Sequence, residues 1–163
     1  PAATVAAGTV PAPVKAAAKA GWVEAGKVWM GNARKGLALE LAASNETPVW
    51  MRTVRPLLVV RCVDRRTDVF VFTDSAAAME ARDEDHAVRI RFDEGEERSE
   101  RWPDSSAHDA LFAPDGARLL AELGRARTLS FGYTPHNAAP VTARFDLAGL
   151  RERLAPAARY CQP

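Results

Sequence analysis

The stretch Arg55-Pro56-Leu57-Leu58-Val59-Val60-Arg61-Cys62-Val63-Asp64-Arg65-Arg66-Thr67-Asp68-Val69-Phe70-Val71-Phe72 decides how this chain is read. Two runs rich in β-branched and aromatic residues flank a short polar turn, Asp64-Arg65-Arg66, which is the pattern of a β-hairpin. Side chains alternate across a strand, so Leu58, Val60 and Cys62 share one face of the first run. In the second run Phe70 and Phe72 share one face, and Val69 and Val71 the other. Both faces are largely apolar. The hairpin is therefore expected at the centre of a sheet, covered on both sides.

Outward from the hairpin, Gly36 to Ala43 reads as a strand, with Leu37, Leu39 and Leu41 alternating with Ala38, Glu40 and Ala42. Val28 to Met30 reads as a shorter strand before it. Ser44 to Pro48 is a polar loop, and Val49 to Val54 leads into the hairpin. Thr73 to Asp85 is alanine-rich and then acidic, a surface connection with room for a helical turn. Ala87 to Asp93 alternates cleanly, placing Val88, Ile90 and Phe92 inward and Arg89 and Arg91 outward. Glu94-Gly95 turns the chain, and Glu96 to Trp102 returns as a charged edge strand. Ser105 to Phe112 is read as a loop.

Two helices follow. Pro114-Asp115-Gly116 opens the first, which runs to about Gly124 with Leu119, Leu120 and Leu123 on its core face. Thr128 to Tyr133 and Val141 to Phe145 are strands. Asp146 is the expected N-cap of the last helix, which carries Leu147, Leu150 and Leu154 and weakens at Pro156. The fold class is α+β, mainly β: an antiparallel β-sandwich or curled sheet of about eight strands, with two helices in the C-terminal half.

Residues 1–20 are rich in alanine and proline and read as a flexible tether, leaving 21–163 as a single β-rich globular domain. The chain of 163 residues starts at Pro1 without a methionine, which suggests a mature protein whose targeting segment has been removed. No run of about 18 apolar residues is present. Lys and Arg number 22 against 21 Asp and Glu, a net charge of +1, which argues against a dedicated nucleic-acid binder. The two cysteines, Cys62 and Cys161, lie roughly 100 residues apart; joined, they would stabilise the domain by roughly 4–5 kcal/mol, and the alternative is two unrelated reduced thiols.

The order of landmarks resembles the VasI/TagO family of type VI secretion-associated envelope proteins over residues 48–161. The resemblance rests on Arg55 to Cys62, Thr67 to Val71, Val88 to Asp93, Trp102, Leu129 to Pro135, Ala143 to Leu150 and the terminal Cys161. It implies a periplasmic or secreted accessory domain without enzymatic activity, and a Cys62–Cys161 disulfide. The partner would be an envelope protein or an anionic cell-wall component, with the tether leading to a membrane anchor or another domain.

The candidate chemistry is sparse. Ser105, His108 and Asp109 supply the residue types of a hydrolase triad, but triad members converge from separate segments, so a turn cluster is the better reading. His86, His108 and His136 lack metal-ligand spacing and are expected at the surface. The acidic runs Asp83 to Asp85 and Asp93 to Glu97 lack a calcium-loop register and read as solvated turns. No catalytic residue, metal or cofactor is expected. Arg89, Arg91, Arg98, Arg101 and Arg144 are the candidate binding surface: if their strands neighbour one another they line one exposed sheet face suited to an anionic partner, and the favoured alternative is outer charges of a half-buried sheet paired with local Glu and Asp. Of Trp22, Trp29, Trp50 and Trp102 some are expected in the core; Trp50, beside Met51 and Arg52, is a candidate anchor for a partner, with core packing as its leading reading. The competing functions are a cell-wall hydrolase with an unrecognised site and an extracytoplasmic accessory domain of a larger membrane-anchored protein.

Overall fold

In a computed structural model, which describes residues 21–33, 35–79 and 85–161, the central hairpin is formed by β5 (Leu57–Val63) and β6 (Arg66–Phe72). Val63 pairs with Arg66, so the turn has only two residues. Asp64 and Arg65 both take positive φ, 51° and 64°, the twist that two-residue hairpins prefer. Arg66, read from the sequence as part of the turn, instead opens β6. Residues 1–20, the expected tether, lie outside the described residues.

Five strands make sheet I, in the order β1 (Val23–Glu24), β2 (Gly36–Ala42), β5, β6 and β9 (Ala110–Phe112). Sheet II has the order β11 (Val141–Asp146), β10 (Thr128–Tyr133), β7 (Asp85–Phe92) and β8 (Arg98–Pro103). All pairings in both are antiparallel. Leu39, Leu41, Leu58, Val60, Val69 and Val71 of sheet I share one core with Val88, Ile90, Phe131, Tyr133 and Phe145 of sheet II. The two sheets thus face each other, as a mainly β, α+β sandwich. Each fully buried Leu, Val or Phe contributes about 1.5–3 kcal/mol to holding them together.

The inner faces match the alternation read from the hairpin. Sheet I is also covered on its outside, but thinly. Val59, Phe70 and Ala110 form a second buried cluster there, with Trp29, Leu57, Phe72 and Phe112 packed against it. Trp29 comes from α1 (Gly26–Trp29), a single helical turn where the sequence suggests a strand at Val28 to Met30. Three apolar residues cannot separate the two periodicities. The turn wins because it places Trp29 against Phe70 and Phe72, at ring-centroid distances of 5.3 and 5.5 Å, with its Nε1 donating to Glu40 Oε2 at 2.8 Å.

Other differences concern very short elements. β3 (Thr47–Val49) and β4 (Arg52–Val54) form a separate hairpin whose turn is Trp50-Met51. β9 occupies part of the expected Ser105–Phe112 loop, because Phe112 stacks on Phe70 at 4.5 Å. These strands, with β1, bring the described total to eleven rather than eight. Of the Thr73–Asp85 connection, residues 73–79 hold no helical turn and pair Ala77 with Pro135, Asp85 already opens β7, and residues 80–84 lie outside the described residues.

α2 (Gly116–Arg125) starts as its sequence dictates. Asp115 accepts a hydrogen bond from the Arg118 amide at 3.0 Å, and Leu119, Leu120 and Leu123 are buried. Gly116 lies so close to the Thr67 carbonyl that no side chain fits there. The last helix, α3 (Leu150–Leu154), is capped by Gly149 and not by Asp146. Asp146 still belongs to β11, opposite Thr128, and its Oδ1 accepts from the Ala148 amide at 3.1 Å, turning the chain toward the helix. A 3₁₀ turn, Ala155–Ala157, follows at Pro156. The chain then reaches Cys161, which is bonded to Cys62 with Cα atoms 5.0 Å apart. Closing a 99-residue separation removes much freedom from the unfolded chain, about 4–5 kcal/mol in the chain-entropy account.

Candidate functional site

The first candidate is the outer face of sheet II. In β7 the residues facing out are Asp85, Ala87, Arg89 and Arg91, since Val88 and Ile90 point into the core. Register carries this parity across the sheet. Arg101 lies opposite Ala87, Ser99 opposite Arg89, Ser130 opposite Arg91, and Arg144 opposite Ser130. Arg89, Arg91, Arg101 and Arg144 therefore share one face, among Ala87, Ser99, Ser130, Gly132 and Thr142. Arg144 and Arg91 flank Ser130 and stand about 9–10 Å apart across two strand spacings. The carboxylates of this face, Asp85 and Asp146, sit at strand ends.

The arginines are held to different degrees. Arg89 lies flat across Gly132, where a Cβ would collide with its guanidinium, and donates from Nη2 to the Val141 carbonyl at 3.2 Å. Arg91 donates to the Gly95 carbonyl at 2.9 Å and pairs with Glu94 at 3.2 Å. Arg101 donates to the Asp85 carbonyl at 2.7 Å. Arg144 is exposed, and no ion pair to its guanidinium occurs among the described residues. The backbone of Arg144 is tied instead: Asn45 Oδ1 accepts from its amide at 2.8 Å, and its carbonyl accepts from the Ser44 amide at 2.7 Å. Ser44 and Asn45 thereby cover the edge of β11 beside the arginine face.

Arg98 departs from the expectation. It pairs with Ile90 across β7 and β8, which puts it on the inner side. There it bonds Glu122 of α2 through both terminal nitrogens, each at 2.7 Å, and Glu100 through Nε at 2.8 Å. The Arg98 hydrogen bonds hold the Glu122 carboxyl below its ordinary value against the effect of burial, and the same bonds raise the Arg98 guanidinium. The signal was present in the sequence: residues 98 and 101 are three apart, and a strand sends them to opposite faces.

Trp50 is 58% exposed and Met51 85%, at the tip of the β3–β4 hairpin. Core packing, the leading expectation for Trp50, is therefore not what the fold does. Met51 has φ 69°, a left-handed conformation that costs a non-glycine residue about 1 kcal/mol. Trp22 and Trp102 are buried, and Trp29 is the half-buried cover of sheet I.

The second candidate is a cleft of about 530 Å³ where the three histidines meet. His86 comes from β7, His108 from the β8–β9 connection and His136 from the β10–β11 connection. The wall beside them is the segment around Ala76, Ala77 and Met79, held by backbone bonds from the Ala78 amide to Thr134 and from the His136 amide to Ala76, both 2.8 Å. Asp104 joins two of the rings: its Oδ2 lies 2.6 Å from His108 Nδ1 and 3.4 Å from His86 Nε2. His86 is buried, and its Nδ1 contacts the Ala78 carbonyl at 3.0 Å. Burial pushes the Asp104 carboxyl up, but the His108 hydrogen bond and the charges of both histidines outweigh it, and the group stays below its ordinary value. Among the described residues no three His, Cys, Asp or Glu side chains group closely enough to hold a metal ion.

Surface placement, expected for all three histidines, fails for His86. Neither their convergence nor Asp104 was legible, because the spacing of 86, 108 and 136 has no period and only the sheet topology unites them. Ser105, His108 and Asp109 do not form a triad. Ser105 Oγ bonds Asp109 Oδ1 at 2.8 Å, while His108, with φ 58°, turns away to Asp104. Asp93, in the second acidic run, caps the start of β10 by accepting from the Arg127 and Thr128 amides at 2.8 and 2.9 Å, and these bonds lower its carboxyl. In the first run, residues 83 and 84 lie outside the described residues.

No protein-family model matches this chain, and no curated protein or solved structure matches it significantly.

Proposed function

We propose that the chain is a non-catalytic binding domain of the cell envelope, and that it docks an anionic envelope component on the outer face of sheet II. The observation that carries this is a solvent-facing four-stranded sheet whose outward positions hold Arg89, Arg91, Arg101 and Arg144, with its two carboxylates at strand ends. Arginine forks suit phosphate and carboxylate oxygens, and small residues between them let a flat ligand approach. The Cys62–Cys161 disulfide fits a periplasmic or secreted location, where such bonds persist. Among the described residues no helix is long and apolar enough to cross a membrane. The resemblance to VasI/TagO proteins points to the same compartment and to a type VI secretion-associated role.

Cosedimentation tests the reading, with isolated cell-wall sacculi in one arm and vesicles of phosphatidylglycerol or phosphatidylcholine in the other. Binding to sacculi or to phosphatidylglycerol alone, weakened by salt and lost in Arg91→Glu/Arg101→Glu/Arg144→Glu, supports it. Binding unchanged in that triple variant, or no binding to either anionic material, overturns it. A cell-wall hydrolase is the second reading, favoured by the Asp104–His108 pair at the cleft. Release of soluble fragments from the same sacculi would decide for it.

A further inference from the structure

We infer that the histidine cleft is a binding site for a small amphipathic cation, an alkyl or aryl primary amine. This site is separate from the arginine face, and its test does not depend on that face binding anything. At about 530 Å³ the cleft falls within the range of small-molecule sites. Ala76, Ala77 and Met79 give it an apolar wall, and Met79, 84% exposed, lies at its lip. Among the described residues that line it there is no lysine or arginine, and Asp104 is the carboxylate.

The hydrogen bonds decide which ligand chemistry that charge can serve. Both imidazoles lean on the same oxygen, Asp104 Oδ2. Oδ1 has no partner among the described residues and is not sealed from solvent. The bond from His108 Nδ1 fixes the ring and leaves Nε2 as an acceptor when the ring is neutral. An ammonium group brings three donors and no acceptor, matching one carboxylate oxygen and the free nitrogen of His108. A carboxylate ligand would instead meet Asp104 as a like charge. Holding His108 at φ 58° is a strained backbone choice for a non-glycine residue, and here it turns the ring to Asp104 at the cleft.

The experiment is ligand-observed NMR with benzylamine, benzyl alcohol and benzoate at about pH 8. Saturable binding of benzylamine, with at least about tenfold weaker binding of the other two, is expected. Asp104→Asn, which keeps the shape and removes the charge, should weaken benzylamine about tenfold. Equal binding of benzoate, no saturable binding of benzylamine, or an unchanged affinity in Asp104→Asn overturns the inference. Should Asp104→Asn fail to fold because His86 loses its partner, Ala76→Phe decides alone. It adds bulk at an exposed lining position, and benzylamine binding that survives it overturns the site.

Discussion

Sheet I and sheet II each turn one face outward, and alternation has given those faces opposite chemistry. Outside sheet I lie Val59, Phe70, Phe72 and Phe112, under Trp29 from a single helical turn. On that face Arg61 is laid over the rings of Phe70 and Phe112 at 5.2 and 6.0 Å, paired with Asp68 at 2.8 Å and bonded to the Trp29 carbonyl. Outside sheet II lie arginines among serine, threonine and glycine, with nothing described above them. Apolar residues on an outer face need a cover, because exposed carbon is costly in water. Arginine needs none, and an uncovered face remains available to a partner. The first face therefore serves stability, and the second is the one to which the proposed function assigns recognition.

The strongest way to break that division is Phe70→Ala. Phe70 is 2% exposed and touches Trp29, Phe112 and Arg61 at once. Truncation removes a buried ring and leaves a cavity under α1, at a cost of about 3–5 kcal/mol. Urea titration should show a midpoint loss of that size, while binding to sacculi or anionic vesicles by the folded fraction stays unchanged. A loss below about 1 kcal/mol would mean that the aromatic face is not a second core.

A smaller effect tests the parity of β8. Arg98 and Arg101 are three residues apart, one bonded inward to Glu122 and the other facing out. Glu122→Gln should cost about 1 kcal/mol, since Arg98 is partly exposed and water screens the pair. The sign with pH follows from the Glu122 carboxyl being lowered from 4.5 in the folded state. Its contribution is full above the unfolded value, and it disappears as pH falls through the folded value. The stability difference between wild type and Glu122→Gln should therefore be largest at neutral pH and vanish in acid, measured by urea midpoints across pH. A difference independent of pH would place Glu122 outside an ion pair with Arg98.

Both tests bear on what the sequence could say. The hairpin, β7, β10, β11 and α2 were legible because each repeats its period often enough to be counted: Leu129, Phe131 and Tyr133 mark a strand, and Leu119, Leu120 and Leu123 a helix. Four of the five arginines could be placed for the same reason. Elements of two to four residues were not legible. α1, β3 and β9 carry too few side chains to show a period, and contacts made at a distance, such as Phe112 on Phe70, decide their state. The cleft was hidden more completely. Asp104 and His108 share the β8–β9 connection, but His86 and His136 come from elsewhere in the chain, and only the pairing of β7 with both β8 and β10 brings all four together.

The smallest expected effect on stability is the sharpest test of the division between the faces. Arg144 is exposed, lacks an ion pair among the described residues, and has its backbone rather than its side chain tied to Asn45. Arg144→Ala should change stability by less than about 0.5 kcal/mol, the usual range for a surface site without a specific partner. It should nonetheless weaken vesicle or sacculus binding by a few-fold and reduce its salt dependence, because one fixed charge has left the docking face. Phe70→Ala and Arg144→Ala would then form a crossed pair, the first losing stability and keeping binding, the second the reverse. If Arg144→Ala instead destabilised the fold as much as Glu122→Gln, its side chain would be part of the structure. The outer face of sheet II would then lose its claim to be a surface kept free for a partner.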